Sequence, residues 1–201
     1  MARRVSDKRN SEIKRETKET SITVSLDLDG SGKADIDTGI GFFDHMLEGF
    51  AKHGYFDLTL KCTGDLLVDG HHTVEDCGIV LGQAFLEALG SKEGITRFGN
   101  MTLPMDDALV LTAVDICGRP YLSFDADFPT ERIGYLDTEL IREFFYAFSY
   151  SAMINIHVKM ISGQNAHHIC EAMFKSFARS LAQAVSADPK ATGIPSTKGA
   201  L

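Results

Sequence analysis

The chain contains no tryptophan and only four cysteines in 201 residues. Cys62, Cys77, Cys117 and Cys170 form no CxxC pair and have no short-domain spacing, which argues against a disulfide scaffold and for reduced, mostly buried thiols in a cytosol. A cysteine nucleophile is the alternative. No apolar run approaches the roughly 20 residues of a membrane helix. The start, Ala2-Arg3-Arg4-Val5-Ser6-Asp7, is basic but is followed by no apolar run, so no export signal is expected. Positive charge is also scarce. The net charge is -8, and no lysine/arginine stripe interleaves with aromatics, which argues against nucleic acid as a partner. A soluble, cytoplasmic protein with no membrane contact is expected. At 44% hydrophobic content it has enough apolar material for one large domain or two small fused ones.

What the chain does have is paired histidine. Four of its seven histidines lie in His71-His72-Thr73-Val74-Glu75 and His167-His168-Ile169-Cys170-Glu171, the same pattern twice. Each pair is followed by apolar residues at helical spacing: Ile79, Val80, Ala84 and Phe85 after the first, Met173, Phe174, Phe177 and Leu181 after the second. Each pair therefore opens a helix, with the first His and the Glu at i and i+4 and the second His and the Glu at i and i+3. Neighbouring histidines point about 100° apart on a helix, so a doublet suits two ions better than one. Nitrogen with carboxylate oxygen, and no thiolate, suits Zn, Mn, Fe or Co in a working site rather than a zinc finger. His45 opens another helix and is a further candidate ligand, as is Glu143 at the matching position later in the chain. Asp76 has Ala172 as its counterpart and reads as a supporting acid, and His53 and His157 read as structural.

The surrounding pattern is duplicated too. Alternation predicts strands near 12–17, 20–28, 55–62, 107–116 and 154–161, and one at 121–124 pairing with 107–116. Helices are predicted near 42–53, 71–89, 136–151 and 167–185, the first of them capped by Gly54. Sliding one half over the other places Glu19 on Asp107, His45 on Glu143 and the two doublets on each other. The predicted architecture is α+β: internally duplicated β-α-β-α halves, their helices packed on mostly antiparallel four-stranded sheets and facing one another. Residues 1–9 read as a flexible start, 10–94 and 95–187 as the halves, and 188–201 as an aperiodic tail.

Phe43-Asp44-His45-Met46-Leu47, Asp69-Gly70-His71-His72-Thr73-Val74-Glu75-Asp76, Ser162-Gly163-Gln164-Asn165-Ala166-His167-His168-Ile169-Cys170-Glu171 and Pro195-Ser196-Thr197-Lys198-Gly199 together resemble the imidazoleglycerol-phosphate dehydratases of histidine biosynthesis. The resemblance implies a lyase converting imidazole glycerol phosphate to imidazole acetol phosphate. It also implies two Mn2+ ions per site, ligands drawn from neighbouring subunits, and a homo-oligomer of 24 copies. Carried over by position, the ligands are His45, His71, His72, Glu75, His167, His168 and Glu171, with Glu143 a weaker candidate because some members carry His there. The expected grouping is His71, Glu75 and His168 on one ion, and His45, His72, His167 and Glu171 on the other. Phosphate contacts fall on Arg97, Arg119, Lys175, Ser196 and Lys198, which draws the tail into the pocket. A further contact, Gln in many relatives, is Gly49 here. Chemically, an imidazolate held between two ions expels the adjacent hydroxyl to give a diazafulvene, while a carboxylate takes the carbon-bound proton. Glu19 is the expected base and substrate contact, Asp107 a second acid/base, and Glu171 and His72 serve catalysis through the ions.

Two other readings fit the ligand pattern alone. A bimetallic hydrolase would release phosphate from generic phosphoesters. A metal-storage cage would bind metal saturably and leave the arginines unexplained.

Overall fold

The computed structural model describes residues 8–199 and 201. The expectation of a flexible start at 1–9 thus falls, for residues 1–7, outside the described residues. Arg9 is anchored: its guanidinium donates to the Val185 carbonyl at 2.5 Å and pairs with Asp29.

The first half contains β1 (Asn10–Glu16), β2 (Thr20–Asp27), β3 (Ala34–Asp37), α1 (Gly41–Gly54), β4 (Asp57–Gly64) and α2 (His71–Leu89). The second repeats the order with β5 (Phe98–Met105), β6 (Ala108–Asp115), β7 (Tyr121–Asp125), a short hairpin of β8 (Arg132–Ile133) and β9 (Leu136–Asp137), α3 (Glu139–Ala152), β10 (Asn155–Ser162) and α4 (Ala166–Val185). Each half folds into a four-stranded sheet, ordered β1-β2-β4-β3 and β5-β6-β10-β7. Each sheet is antiparallel except for its last pair, β3 with β4 and β7 with β10.

The structure corrects four details. Tyr121–Asp125 does not pair with β6; it lies parallel to β10, with Ile156 opposite Leu122. β3 and β5 were not anticipated, so the unit is β-β-β-α-β-α. In β5 the periodicity is masked, because Gly99 fills a buried position where a Cβ would meet the Ser180 carbonyl, and Pro104 sits on an edge strand. Helix α3 starts at Glu139 rather than 136, since Leu136 and Asp137 are held by pairing with Ile133 and Arg132. Finally, Tyr55 rather than Gly54 takes the left-handed cap, with φ 59° and its N–H on the Ala51 carbonyl. Gly54 is glycine for another reason: a Cβ there would collide with the Phe56 ring.

Helices α1 and α2 cover the first sheet, α3 and α4 the second, and the helices meet across the middle as α1 on α4 and α2 on α3. Gly78 and Gly82 bring α2 against α3, where a Cβ would lie 2.8 Å from the carbonyls of Phe144 and Phe148. An aromatic core joins the layers: Phe144 stacks on Phe174 at 5.1 Å, Phe43 meets Phe144 edge-on at 5.5 Å, and Phe50 lies 5.6 Å from Phe177. Each such buried ring contributes roughly 1.5–3 kcal/mol. The helix pairs run in the same direction, because residue numbers rise together along both contacts, Phe43 on Phe174 and Phe50 on Phe177 in one, Gly78 on Phe144 and Gly82 on Phe148 in the other. All four helix N-termini, and hence all the histidine motifs, therefore gather at one end of the molecule.

Candidate metal centre and its surroundings

Three of the expected ligands converge within the single chain. His45 from α1 and His167 and Glu171 from α4 place ligand atoms within 4.8 Å of one another. Glu171 Oε1 is 3.8 Å from His45 Nε2, and its Oε2 is 3.3 Å from His167 Nε2. Local chemistry fixes each element. Asp44 accepts from the Thr38 N–H at 2.8 Å and hydroxyl at 2.5 Å, anchoring the first turn of α1. Asn165 caps α4, accepting from the N–H groups of His167 and His168 at 2.9 and 3.4 Å. Phe42 backs the His167 ring edge-on at 4.9 Å. Two imidazoles and a carboxylate, mostly buried at Glu171, form a donor set that fits a borderline divalent ion.

Glu171 also accepts from Lys175, one turn on, at 2.8 Å. Burial raises the Glu171 pKa, but Lys175 and then the two histidines outweigh it and leave the carboxyl below its ordinary value. Further along α4, Lys175 and Arg179 face His53, whose pKa is lowered by burial and then by these two charges. This stretch is cationic, and Gly49 beside it leaves open space where a side chain would stand.

The other doublet partners sit against acids. His72 directs Nδ1 at Asp65, 3.0 and 3.2 Å from its two oxygens, and its Nε2 lies 3.8 Å from Glu19. Its pKa is raised, first by Asp65 and also by the Glu19 charge. His168 directs Nδ1 at Asp107, 2.6 Å away, with Asp106 3.5 Å from Nε2. His71 and Glu75 stand at i and i+4 on α2, and Glu143 bonds Arg142 at 3.1 Å. Among the described residues of one chain, the one cluster of expected ligands is His45, His167 and Glu171; the expected grouping of His72 with His45, and of His168 with His71 and Glu75, does not form a cluster there.

Asp107, the expected second acid/base, is hydrogen-bonded through both oxygens. Its second oxygen accepts from the backbone of Gln164 and Asn165 at 2.6 and 2.9 Å, and His168 together with these donors holds its pKa far below the usual carboxylate range. A carboxylate so placed orients the histidine ring. Asp76, the expected supporting acid, is buried on the inner side of α2, where it pairs with Arg15 at 2.5 Å and accepts from Thr20. All four cysteines are free and buried, and burial pushes the Cys170 thiol well up.

Of the expected phosphate contacts, Lys175 lies beside Glu171, and the other four gather elsewhere. Arg97 is paired with Asp115 at 2.7 and 3.1 Å and donates to the Pro195 carbonyl at 2.9 Å, while Gly94 donates to Gly193 at 2.9 Å. The tail that reads as aperiodic is thereby docked, carrying Ser196 and Lys198. The Arg119 carbonyl accepts from Asn155, opposite Asp115 on β10. Arg97, Arg119 and the tail thus surround the Asp115 end of β6, whereas Asp107 and His168 mark its other end. Eight strand steps separate these ends, about 25 Å.

The profile of the imidazoleglycerol-phosphate dehydratase family matches residues 38–181. A relative of that name from Lachnoclostridium phytofermentans is 60% identical over 191 residues, 95% of this chain and 97% of that one. This chain belongs to the imidazoleglycerol-phosphate dehydratase family. Another relative of that name, from Gluconobacter oxydans, is 58% identical over 98% of this chain and 100% of its own. Solved dehydratase structures from Staphylococcus aureus and Pyrococcus furiosus each superpose with TM-score 0.81 at 40% identity, covering 89% and 94% of this chain and 99% and 100% of theirs. The duplicated two-sheet architecture is thus the fold of the dehydratase family. Asp65 and Asp106 escaped the sequence reading; the only signal for either was an acid in a polar turn near a histidine doublet.

Proposed function

We propose that this chain is a metal-dependent dehydratase acting in histidine biosynthesis, removing water from imidazole glycerol phosphate to give imidazole acetol phosphate. The convergence of His45, His167 and Glu171 at the N-termini of two parallel helices is the observation that carries this reading. Two divalent ions, manganese by family resemblance, would supply Lewis acidity toward the substrate imidazole. His45, His167 and Glu171 would hold one side of that site; His71, Glu75, His72 and His168 would complete it from other copies, with Glu143 a further oxygen donor. Glu19, 3.8 Å from His72 Nε2, takes the proton from the second carbon of the chain. The hydroxyl on the carbon beside the ring departs. Proton and hydroxide sum to one water, and the enol left behind becomes the keto product.

The phosphate must sit near the reacting carbons, yet Arg119, Ser196 and Lys198 lie about 25 Å from His168 along the same chain's β6. A substrate far shorter than this cannot span them. The site is therefore built from several copies, which supports a closed homo-oligomer, 24 copies by resemblance. Lys175, in the cationic stretch behind Glu171, serves the phosphate from the metal side. No described helix is long and apolar enough to cross a membrane, and we place the enzyme in the cytoplasm.

Supplying imidazole glycerol phosphate and, separately, a generic phosphoester to the manganese-loaded protein tests the reaction. Keto product with no inorganic phosphate is expected. Phosphate from both compounds would install the hydrolase reading instead.

A further inference from the structure

We propose that Asp65 is a positioning residue that presents His72 through Nε2 and, by doing so, leaves Glu19 available as the base. The proposal rests on the reading of His72 as a metal ligand. Both Asp65 oxygens lie on His72 Nδ1, at 3.0 and 3.2 Å. A carboxylate on Nδ1 keeps the proton there, fixes the ring plane and turns the lone pair of Nε2 outward, the arrangement that makes histidine a directed ligand.

The second half shows what happens without such a residue. There His168 needs the same support and takes it from Asp107 at 2.6 Å. Asp107 is the repeat counterpart of Glu19, and it is consumed: its other oxygen accepts from Gln164 and Asn165. In the first half the duty passes to a different element. Six residues, 65–70, separate β4 from His71, whereas four, 163–166, separate β10 from His167. The longer loop supplies Asp65, and Glu19 stands back at 3.8 Å from the outward nitrogen. The duplication has thus diverged so that one strand-end acid orients a ligand through Nδ1 while its twin faces the outward Nε2.

Manganese titration of chelator-stripped, full-length protein tests this without substrate. Asp65→Ala should weaken one class of ion by about 10- to 100-fold and leave the other unchanged, and Asp65→Glu should recover most of the loss. Unaltered titration of Asp65→Ala would overturn the proposal. So would Asp65→Glu binding as poorly as Asp65→Ala, since loop packing rather than the carboxylate would then matter. Should Asp65→Ala fail to fold, Asp65→Asn decides: weakened binding supports the proposal, and parental binding overturns it. Because no turnover is measured, failure of the dehydratase reading would show separately, as a parent protein that binds manganese and makes no keto product.

Discussion

Glu19→Gln is expected to bind manganese and imidazole glycerol phosphate as the parent does and to turn over about 10²- to 10⁴-fold more slowly. The amide keeps the volume and hydrogen-bonding reach of the carboxylate but cannot accept a proton. Glu19 stands where β2 begins, its backbone N–H bonded to the Thr17 hydroxyl at 3.1 Å, so the turn before the strand holds the residue in place whatever its side chain. Its side chain lies beside His72 without the two backbone donors that occupy Asp107 in the other half. A falling kcat at constant KM and constant metal content would mark loss of the base. Undiminished turnover would eliminate Glu19 from the chemistry.

Metal removal should have a larger effect still. Chelator-stripped protein is expected to form imidazole acetol phosphate only at background, and added manganese should restore it. Glu171→Ala should stay inactive at any manganese concentration. Both of its oxygens face histidines, 3.8 Å from His45 and 3.3 Å from His167, so its loss removes the anion that brings the two imidazoles to one point. It also releases Lys175 from its 2.8 Å partner, leaving an ammonium where a cation must bind. Like charge then adds to ligand loss. Activity in the stripped protein, or in metal-loaded Glu171→Ala, would contradict the role given to this cluster.

The histidine doublets were readable from the sequence because duplication repeats their spacing, and a repeated spacing of a rare residue on predicted helices leaves few explanations. The layered α+β fold followed from the same repetition, and His45 from its place at the start of the preceding helix. The failures are non-local. Nothing in Tyr121–Asp125 says that its partner is β10, more than thirty residues on, in preference to the nearer β6. The Phe98–Met105 strand hides its buried face behind Gly99, which has no side chain to register in a hydrophobic pattern. Glu19 and Asp107 look alike as strand-end acids; their separate duties depend on which ring nitrogen each meets. Asp76 reads as a supporting acid, and its partners Arg15 and Thr20 emerge only from the fold. The distance between metal and phosphate residues also emerges only once both are placed on one strand of known rise.

That distance gives the most direct test of the central claim, that the site is assembled from several copies of this chain. Arg119→Ala and Glu171→Ala lie at opposite ends of the fold, so each alone should yield an inactive homo-oligomer. Co-expressed and purified together, the two variants should regain a clear fraction of the parent's turnover, because some sites then draw Glu171 from one chain and Arg119 from another. Mixed oligomers as inactive as either variant alone would place both residues in the same chain's site and contradict the account.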